Sequence, residues 1–152
     1  MLKDLNPLKA GGLMFPLFVP ATRLDRLDKA LNSSATFVIA DLEDAVAPQD
    51  KPSARQSLAS LPTSQGGELA LCVRINGPET PWFEDDLAMV ASGNFSGVIL
   101  PKAENREHVK RVRKAIPKYV AFFGLVETAQ GLASIRDLAP SLQDQIMLQI
   151  WV

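Results

Sequence analysis

The segment TFVIADLEDAV, residues 36–46, indicates both the fold and the place of its chemistry. Residues 37–40 are a short apolar run rich in β-forming side chains, which is typical of a strand buried on both faces. Three carboxylates follow this run at once: Asp41, Glu43 and Asp44. Because parallel α/β folds keep their chemistry at the carboxyl ends of strands, the segment predicts the rim of a site. The alternative is an exposed acidic loop that caps the next helix.

The composition indicates one compact domain over residues 1–152, with 47% hydrophobic and 22% charged residues. Lys and Arg number 16 and Asp and Glu 17, so no net charge favours nucleic acid or an anionic membrane. No apolar run approaches the roughly 20 residues that span a bilayer. Residues 1–12 form a polar N-terminal arm without the apolar core of a signal peptide. We therefore expect a cytoplasmic protein with no nucleic-acid or membrane partner, and a buried, unreactive Cys72.

Apolar runs and helical patterns alternate along the chain. The predicted strands are residues 17–19, 37–40, 69–75, 97–100, 120–126 and 146–152. Thr22 is predicted to cap a helix over residues 23–31, Pro52 to start the second helix, and residues 82–90 to form the third. Apolar stripes mark the buried faces of the second, fourth and fifth helices: Ala54, Leu58 and Leu61; Val109, Val112 and Ile116; Leu132, Ile135 and Leu138.

This alternation predicts parallel strands joined by right-handed helical crossovers. Two architectures fit: an open, doubly wound α/β sheet, or a (β/α)₈ TIM-type barrel of which about six strands are present. The dinucleotide-binding version of the open sheet requires a G-x-G-x-x-G turn after its first strand, and neither that turn nor a P-loop is found. The pattern therefore favours the incomplete barrel.

Polar residues follow four successive predicted strands. After the acids of the second strand come Arg74 and Asn76, Lys102 and Glu104, and Glu127 and Thr128. In a barrel, the ends of these strands face one cavity. Carboxylates with room for water suit Mg²⁺, and an always-charged planar guanidinium suits a carboxylate or a developing enolate. The alternative without a metal is a structural ring of salt bridges: Glu43, Asp44 and Glu127 with Arg74 and Lys102.

Five blocks stand in order between about residue 17 and about residue 139: LFVPATRLDRLDKAL, FVIADLEDAVAPQDKPSAR, VRINGPETPWFEDDL, GVILPKAE and GLVETAQGL. Together they resemble the citrate lyase β-subunit group of the HpcH/HpaI aldolase superfamily. The resemblance implies a TIM barrel that cleaves or forms a carbon–carbon bond in a 3-hydroxyacyl-CoA thioester. Citryl-CoA and malyl-CoA are such substrates, and the products are a 2-oxo acid and acyl-CoA. It also implies Mg²⁺ as cofactor and a homo-oligomer.

Carried over by position, the resemblance assigns roles to residues of the candidate site. Glu127 matches the family's first metal carboxylate. Arg74 matches the arginine that holds the oxo acid and steadies the transition-state oxygen. Glu43 and Asp44 match acids that orient metal-bound water. The family's second metal carboxylate, an Asp after the sixth strand, has no counterpart in a chain that ends in IMLQIWV, so weak Mg²⁺ binding and impaired activity are expected.

Three cations are assigned to substrate. Lys51 and Arg55, in DKPSAR, are expected near the CoA phosphates, with a solvated helix face as the alternative. Lys102, in LPKAE, is expected to bind substrate; a Schiff-base aldolase that uses this lysine is an alternative. Two further alternatives stay open. One is an aldolase acting on free 2-keto acids without CoA, and the other is a non-catalytic paralogue that binds CoA esters or a partner subunit.

Overall fold

The computed structural model describes residues 15–61, 70–93, 95–142 and 146–148, with residues 141–142 and 146–148 as backbone only. The strands are Leu17–Pro20 (β1), Phe37–Asp41 (β2), Ala70–Arg74 (β3), Gly97–Leu100 (β4), Ala121–Val126 (β5) and Ile146–Leu148 (β6). The helices are Leu24–Leu31 (α1), Lys51–Ala59 (α2), Phe83–Ser92 (α3), Arg106–Ala115 (α4), Ala129–Ala133 (α5) and Ile135–Leu142 (α6). Predictions for residues 1–12, 69 and 149–152 lie outside the described residues.

The six strands form one parallel sheet in the order β1-β2-β3-β4-β5-β6. A doubly wound sheet reverses its strand order at a switch point, whereas a barrel keeps the order of the chain. The sequential order therefore excludes the open-sheet alternative. It confirms the incomplete TIM-type barrel.

Alternate residues of the strands form two separate cores. One face of each strand packs against the helices, and this outer core includes Val38, Val73 and Phe122. The other face lines the barrel interior and carries a smaller cluster: Phe37, Ile39, Ala70, Cys72, Ile99, Phe123 and Leu125. Both faces are thus buried, as the near-continuous apolar runs of the sequence indicate. Within the inner cluster Cys72 is fully buried, as predicted, and burial raises the pKa of its thiol, which accords with an unreactive cysteine.

Close packing inside the barrel depends on Gly97. A Cβ at this position would lie 2.8 Å from the sulfur of Cys72 and 3.2 Å from the ring of Phe123. Any side chain here would push these neighbours apart, since interiors have little free volume.

Two helix predictions are wrong. Thr22 does not cap α1: Arg23 stands at the N-cap position, and no side chain accepts a hydrogen bond there. The predicted fifth helix is two helices that meet at Ser134, and Leu132 is 58% exposed. The reason is that buried Gly131 faces the carbonyl of Ala103, where a Cβ would lie at 2.8 Å, and this contact turns Leu132 outward.

The other stripe residues are buried as predicted, except Leu61 and Ile135, which are half-buried. The buried ones are Ala54, Leu58, Val109, Val112, Ile116 and Leu138. In the part of the chain that the structure describes, no helix has the length and hydropathy of a membrane span.

Candidate active site

Three charged residues continue the inner face of the barrel at the carboxyl ends of the strands. Asp41 follows Phe37 and Ile39 by the alternation of β2, and Arg74 follows Cys72 in the same way in β3. Glu127 comes two residues after Leu125 of the inner cluster. The two-residue period of a strand therefore directs all three side chains to one end of the barrel interior.

Asp41 and Arg74 form the fixed centre of this end. They lie opposite each other in the β2–β3 ladder, and the guanidinium donates from Nε at 2.8 Å and from Nη2 at 2.7 Å to the two carboxylate oxygens. The same carboxylate accepts the backbone N–H groups of Glu43 and Ala45, at 2.9 and 3.1 Å. Asp41 is 2% exposed and Arg74 7%. A buried, bidentate pair of this kind fixes both the position and the orientation of the guanidinium.

Glu43 connects Arg74 with the loop after β4. Its Oε2 lies 3.3 Å from Nη1 of Arg74, and its Oε1 pairs with the ammonium of Lys102. Burial raises the pKa of Glu43, although the hydrogen bond from Lys102 opposes this. Its Oε2 is buried and has no hydrogen-bond donor among the described residues. Asp44 is exposed, with its carboxylate 3.9 Å from Nη1 of Arg74.

Lys102 links the acids of two strands. Its backbone has φ of 48°, a left-handed conformation that is rare for a residue with a side chain. In this conformation its N–H donates to Oε1 of Glu127 at 3.1 Å, while its ammonium pairs with Glu43. The following strand end is held as well, since the hydroxyl of Thr128 donates to Glu104 at 2.8 Å. Of the predicted salt-bridge ring, the cluster contains ion pairs of Arg74 with Glu43 and Asp44 and of Lys102 with Glu43, whereas Glu127 accepts a backbone N–H.

Lys51 and Arg55 both turn away from solvent on α2, Lys51 toward the loop after β2 and Arg55 toward α3. The ammonium of Lys51 donates to the carbonyls of Leu42 and Glu43, each at 2.7 Å, and is 5% exposed. Arg55 donates from Nε to Asp86 at 2.7 Å. Neither cation lies on a solvated face, so that alternative is wrong for both. Contact with CoA phosphates stays a prediction.

Two acids have roles that the sequence does not show. The sequence places Asp41 at the rim of the site, and its register opposite Arg74 makes it the main partner of that arginine. Asp86 is fully buried on α3 and accepts the N–H and the side-chain amide of Asn76, at 2.8 and 2.7 Å. The sequence signal for Asp86 is its spacing, three residues after Phe83 and four before Val90, which places it on the buried side of the helix.

The oxygen donors of this cluster fit a hydrated Mg²⁺. Among the residues that the structure describes, no three His, Cys, Asp or Glu side chains are grouped to hold a metal ion. Mg²⁺ rarely needs such a cage, because it is usually bound by one or two carboxylates and keeps several waters. Glu127 offers a half-buried carboxylate at the site. The Oε2 of Glu43 needs a proton donor, and a water bound to a cation is such a donor.

Comparison with known proteins finds one family model and several relatives that match most of this chain. Residues 14–150 match the family model described as HpcH/HpaI aldolase/citrate lyase. A (3S)-malyl-CoA thioesterase of Cereibacter sphaeroides is 34% identical over 134 residues, which cover 86% of this chain and 47% of that protein. An L-malyl-CoA/beta-methylmalyl-CoA lyase of the same species is 35% identical over 143 residues, covering 84% of this chain and 45% of the lyase. The chain spans about half the length of the curated relatives it matches.

The fold agrees with these matches. A citrate lyase beta subunit from M. tuberculosis, solved in complex with oxaloacetate and magnesium, superposes with a TM-score of 0.73 at 34% identity. The superposition covers 93% of this chain and 60% of that one. The likeness therefore extends over nearly all of the strand–helix units described above.

Proposed function

The chain belongs to the HpcH/HpaI aldolase/citrate lyase family, and from this premise we propose that its charged cluster serves a Mg²⁺-dependent carbon–carbon lyase. The substrate is a 3-hydroxyacyl-CoA thioester of the malyl-CoA or citryl-CoA type, and the products are a 2-oxo acid and acyl-CoA. Support comes from a lyase relative that acts on malyl-CoA and from a fold neighbour that binds an oxo acid with magnesium. A homo-oligomer and a cytoplasmic location remain predictions.

One observation carries the proposal: the buried guanidinium of Arg74 is held rigidly, with Nη1 directed toward the acids of the site. Asp41 engages Nε and Nη2 of Arg74, so the donors of Nη1 are left on the side of Glu43 and Asp44. In the cleavage reaction the substrate hydroxyl loses its proton and the adjacent carbon–carbon bond breaks. The electron pair passes into the thioester as an enolate, which then takes up a proton. A fixed guanidinium stabilises the oxygen anion that forms first, because it needs no reorganisation.

Glu127 is the carboxylate that would hold Mg²⁺ in this chain. When bound, the ion polarises the oxygens of the oxo acid and neutralises developing charge. Glu43 and Asp44 orient water at the same end of the barrel by accepting hydrogen bonds from it. Lys102, whose side chain is 49% exposed, binds a substrate carboxylate once its ammonium leaves Glu43. These roles follow the matched family positions and the geometry of the cluster.

Magnesium titration of the whole chain by calorimetry tests the metal assignment. We expect weak binding that Glu127→Ala removes and that the control Glu107→Ala, on the exposed face of α4, leaves unchanged. Binding that survives Glu127→Ala would contradict the assignment of the metal to this residue.

Product analysis with malyl-CoA and saturating Mg²⁺ tests the reaction. A lyase releases glyoxylate and acetyl-CoA, and we expect these products. Free malate and CoA would instead indicate a thioesterase, the activity named for one relative. Aldol addition of pyruvate to an aldehyde, without CoA, would favour the CoA-independent aldolase. Borohydride trapping of a keto acid on Lys102 that EDTA does not prevent would favour the Schiff-base route.

Absence of turnover, together with Mg²⁺ binding that depends on Glu127, would favour the non-catalytic paralogue. The metal titration and the product analysis therefore separate a failed metal assignment from a failed reaction assignment.

A further inference from the structure

Helix α2 presents a buried lysine to the acidic loop. Lys51 is the first residue of α2, and its ammonium lies beneath residues 42–43 with only 5% of the residue exposed. Burying an ammonium is unfavourable unless it gains hydrogen bonds or charge partners. Lys51 gains two strong acceptors, the carbonyls of Leu42 and Glu43, and its ammonium lies 5.0 Å from the ring centroid of Trp82.

The contacts of Lys51 complete the restraint on the backbone of Glu43. On one side, the N–H of Glu43 donates to Asp41 at 2.9 Å. On the other, its carbonyl accepts from Lys51 at 2.7 Å. The peptide groups that flank the Cα of Glu43 are therefore both fixed, and so is the direction in which its side chain leaves the loop. That direction brings the carboxylate between Arg74 and Lys102.

We propose that Lys51 is a positioning residue, which acts through Glu43 by holding the backbone of the acidic loop rather than by contacting the CoA phosphates. The effect of Lys51 on turnover rests on the proposed function, whereas its hold on the loop backbone rests on the contacts alone. Burial lowers the pKa of Lys51 below its ordinary value. The charges of Asp41, Asp86, Glu43 and Asp44 oppose this change, as expected for an ammonium enclosed among acids. Two carbonyls and an aromatic face leave it poorly placed for a solvated phosphate.

Amine labelling of the unmodified protein distinguishes the two roles without any substitution. With acetic anhydride and readout by mass spectrometry, we expect Lys51 to react at least about tenfold more slowly than the exposed Lys29 and Lys114, since labelling requires local opening. Added coenzyme A should leave that rate unchanged. Rapid labelling of Lys51 that coenzyme A suppresses would overturn the proposal.

Amide exchange then tests what Lys51 does for the loop. In Lys51→Met, we expect the amides of Glu43 and Ala45 to exchange about tenfold faster relative to the amides of β3. The reason is that the carbonyl of Leu42 loses the ammonium donor, and the carbonyl of Glu43 keeps only the longer bond from the N–H of Val46, at 3.3 Å. The matched control Ala54→Gly weakens the same helix without touching the loop, so it should speed both sets of amides equally. An equal change of both sets in Lys51→Met would overturn the proposal. If that variant does not fold, the labelling of the unmodified protein still decides.

Kinetics complete the test where turnover of malyl-CoA is found. Lys51→Met should lower kcat and leave KM for the CoA ester within about twofold, as expected for a group that acts on the reacting centre and not on CoA binding. A raised KM with unchanged kcat would overturn the proposal. Since labelling and amide exchange need no turnover, failure of the lyase assignment would not be confused with failure of this one.

Discussion

The loop after β2 and the loop after β4 supply charges to the same cluster, but they are held in opposite ways. The first loop is buried at Leu42 and Glu43 and is restrained from both sides, by Asp41 and by Lys51. The second carries Lys102, which has a left-handed backbone and a side chain that is 49% exposed. The contrast indicates a fixed half that orients Arg74 and an adaptable half that responds to substrate. Strain at a site residue is typical of such adaptable positions.

Removing the centre of the fixed half should have the largest effect. Asp41→Ala leaves the guanidinium of Arg74 buried without its main partner and frees two backbone N–H groups. We expect the free energy of unfolding to fall by about 3–5 kcal/mol, the usual loss when one member of a buried pair is removed. Urea denaturation followed by circular dichroism measures it.

The matched control for that prediction is Asp25→Ala, which breaks the exposed bidentate pair between Arg23 and Asp25. Exposed pairs add little stability, so this variant should be nearly neutral. Equal losses in the two variants would contradict the description of the β2 loop as the fixed half.

Releasing the backbone strain at Lys102, in the adaptable half, should change the free energy of unfolding less than Asp41→Ala does, and in the opposite direction. Both Lys102→Gly and Lys102→Ala remove the ammonium that pairs with Glu43, so they differ only in the backbone. We expect the glycine variant to be more stable by about 1 kcal/mol, because alanine disfavours the left-handed conformation and glycine does not. Urea denaturation of the two variants side by side gives the difference. A more stable alanine variant would mean that the loop holds no strain.

The smallest expected effect is the pH dependence of stability that Glu43, the acid between the two halves, contributes. Burial raises the pKa of Glu43 above its ordinary value of 4.5, so the folded protein binds this proton more tightly than the unfolded chain does. The contribution of Glu43 to stability is therefore greatest below pH 4.5, and it decreases as the pH rises through the raised pKa. Relative to Glu43→Gln, the wild type should lose stability over that rise, which urea denaturation at several pH values measures. The reverse trend would show that Arg74 and Lys102 outweigh burial.

Much of the fold follows from the sequence, since strands buried on both faces leave continuous apolar runs. The run of residues 37–40 and the four-residue strand Gly97–Leu100 were predictable for this reason. The ends of strands then locate the polar residues of the site. The exposure of Leu132 was not predictable, because the close contact of Gly131 with Ala103, in the loop after β4, overrides the helical period.

Which side chains pair with each other in the site could not be predicted from the sequence. Three acids lie within four positions of the loop after β2, and only the register of β2 against β3 selects Asp41 for Arg74. Similarly, the pattern DKPSAR predicts two cations on α2 but not that both turn inward. Lys51 turns inward to donate to the carbonyls of Leu42 and Glu43, and a contact of that kind depends on tertiary structure.

The position of Asp41 opposite Arg74 also bears on how the sheet assembles. A strand that slides by one residue sends its side chains to the other face, so any misaligned β2–β3 pair would place a lone carboxylate and a lone guanidinium in apolar surroundings. A misaligned β2–β3 pair is thus disfavoured by the same carboxylate and guanidinium that the proposed reaction uses. The correct register and the orientation of Arg74 therefore depend on the same ion pair.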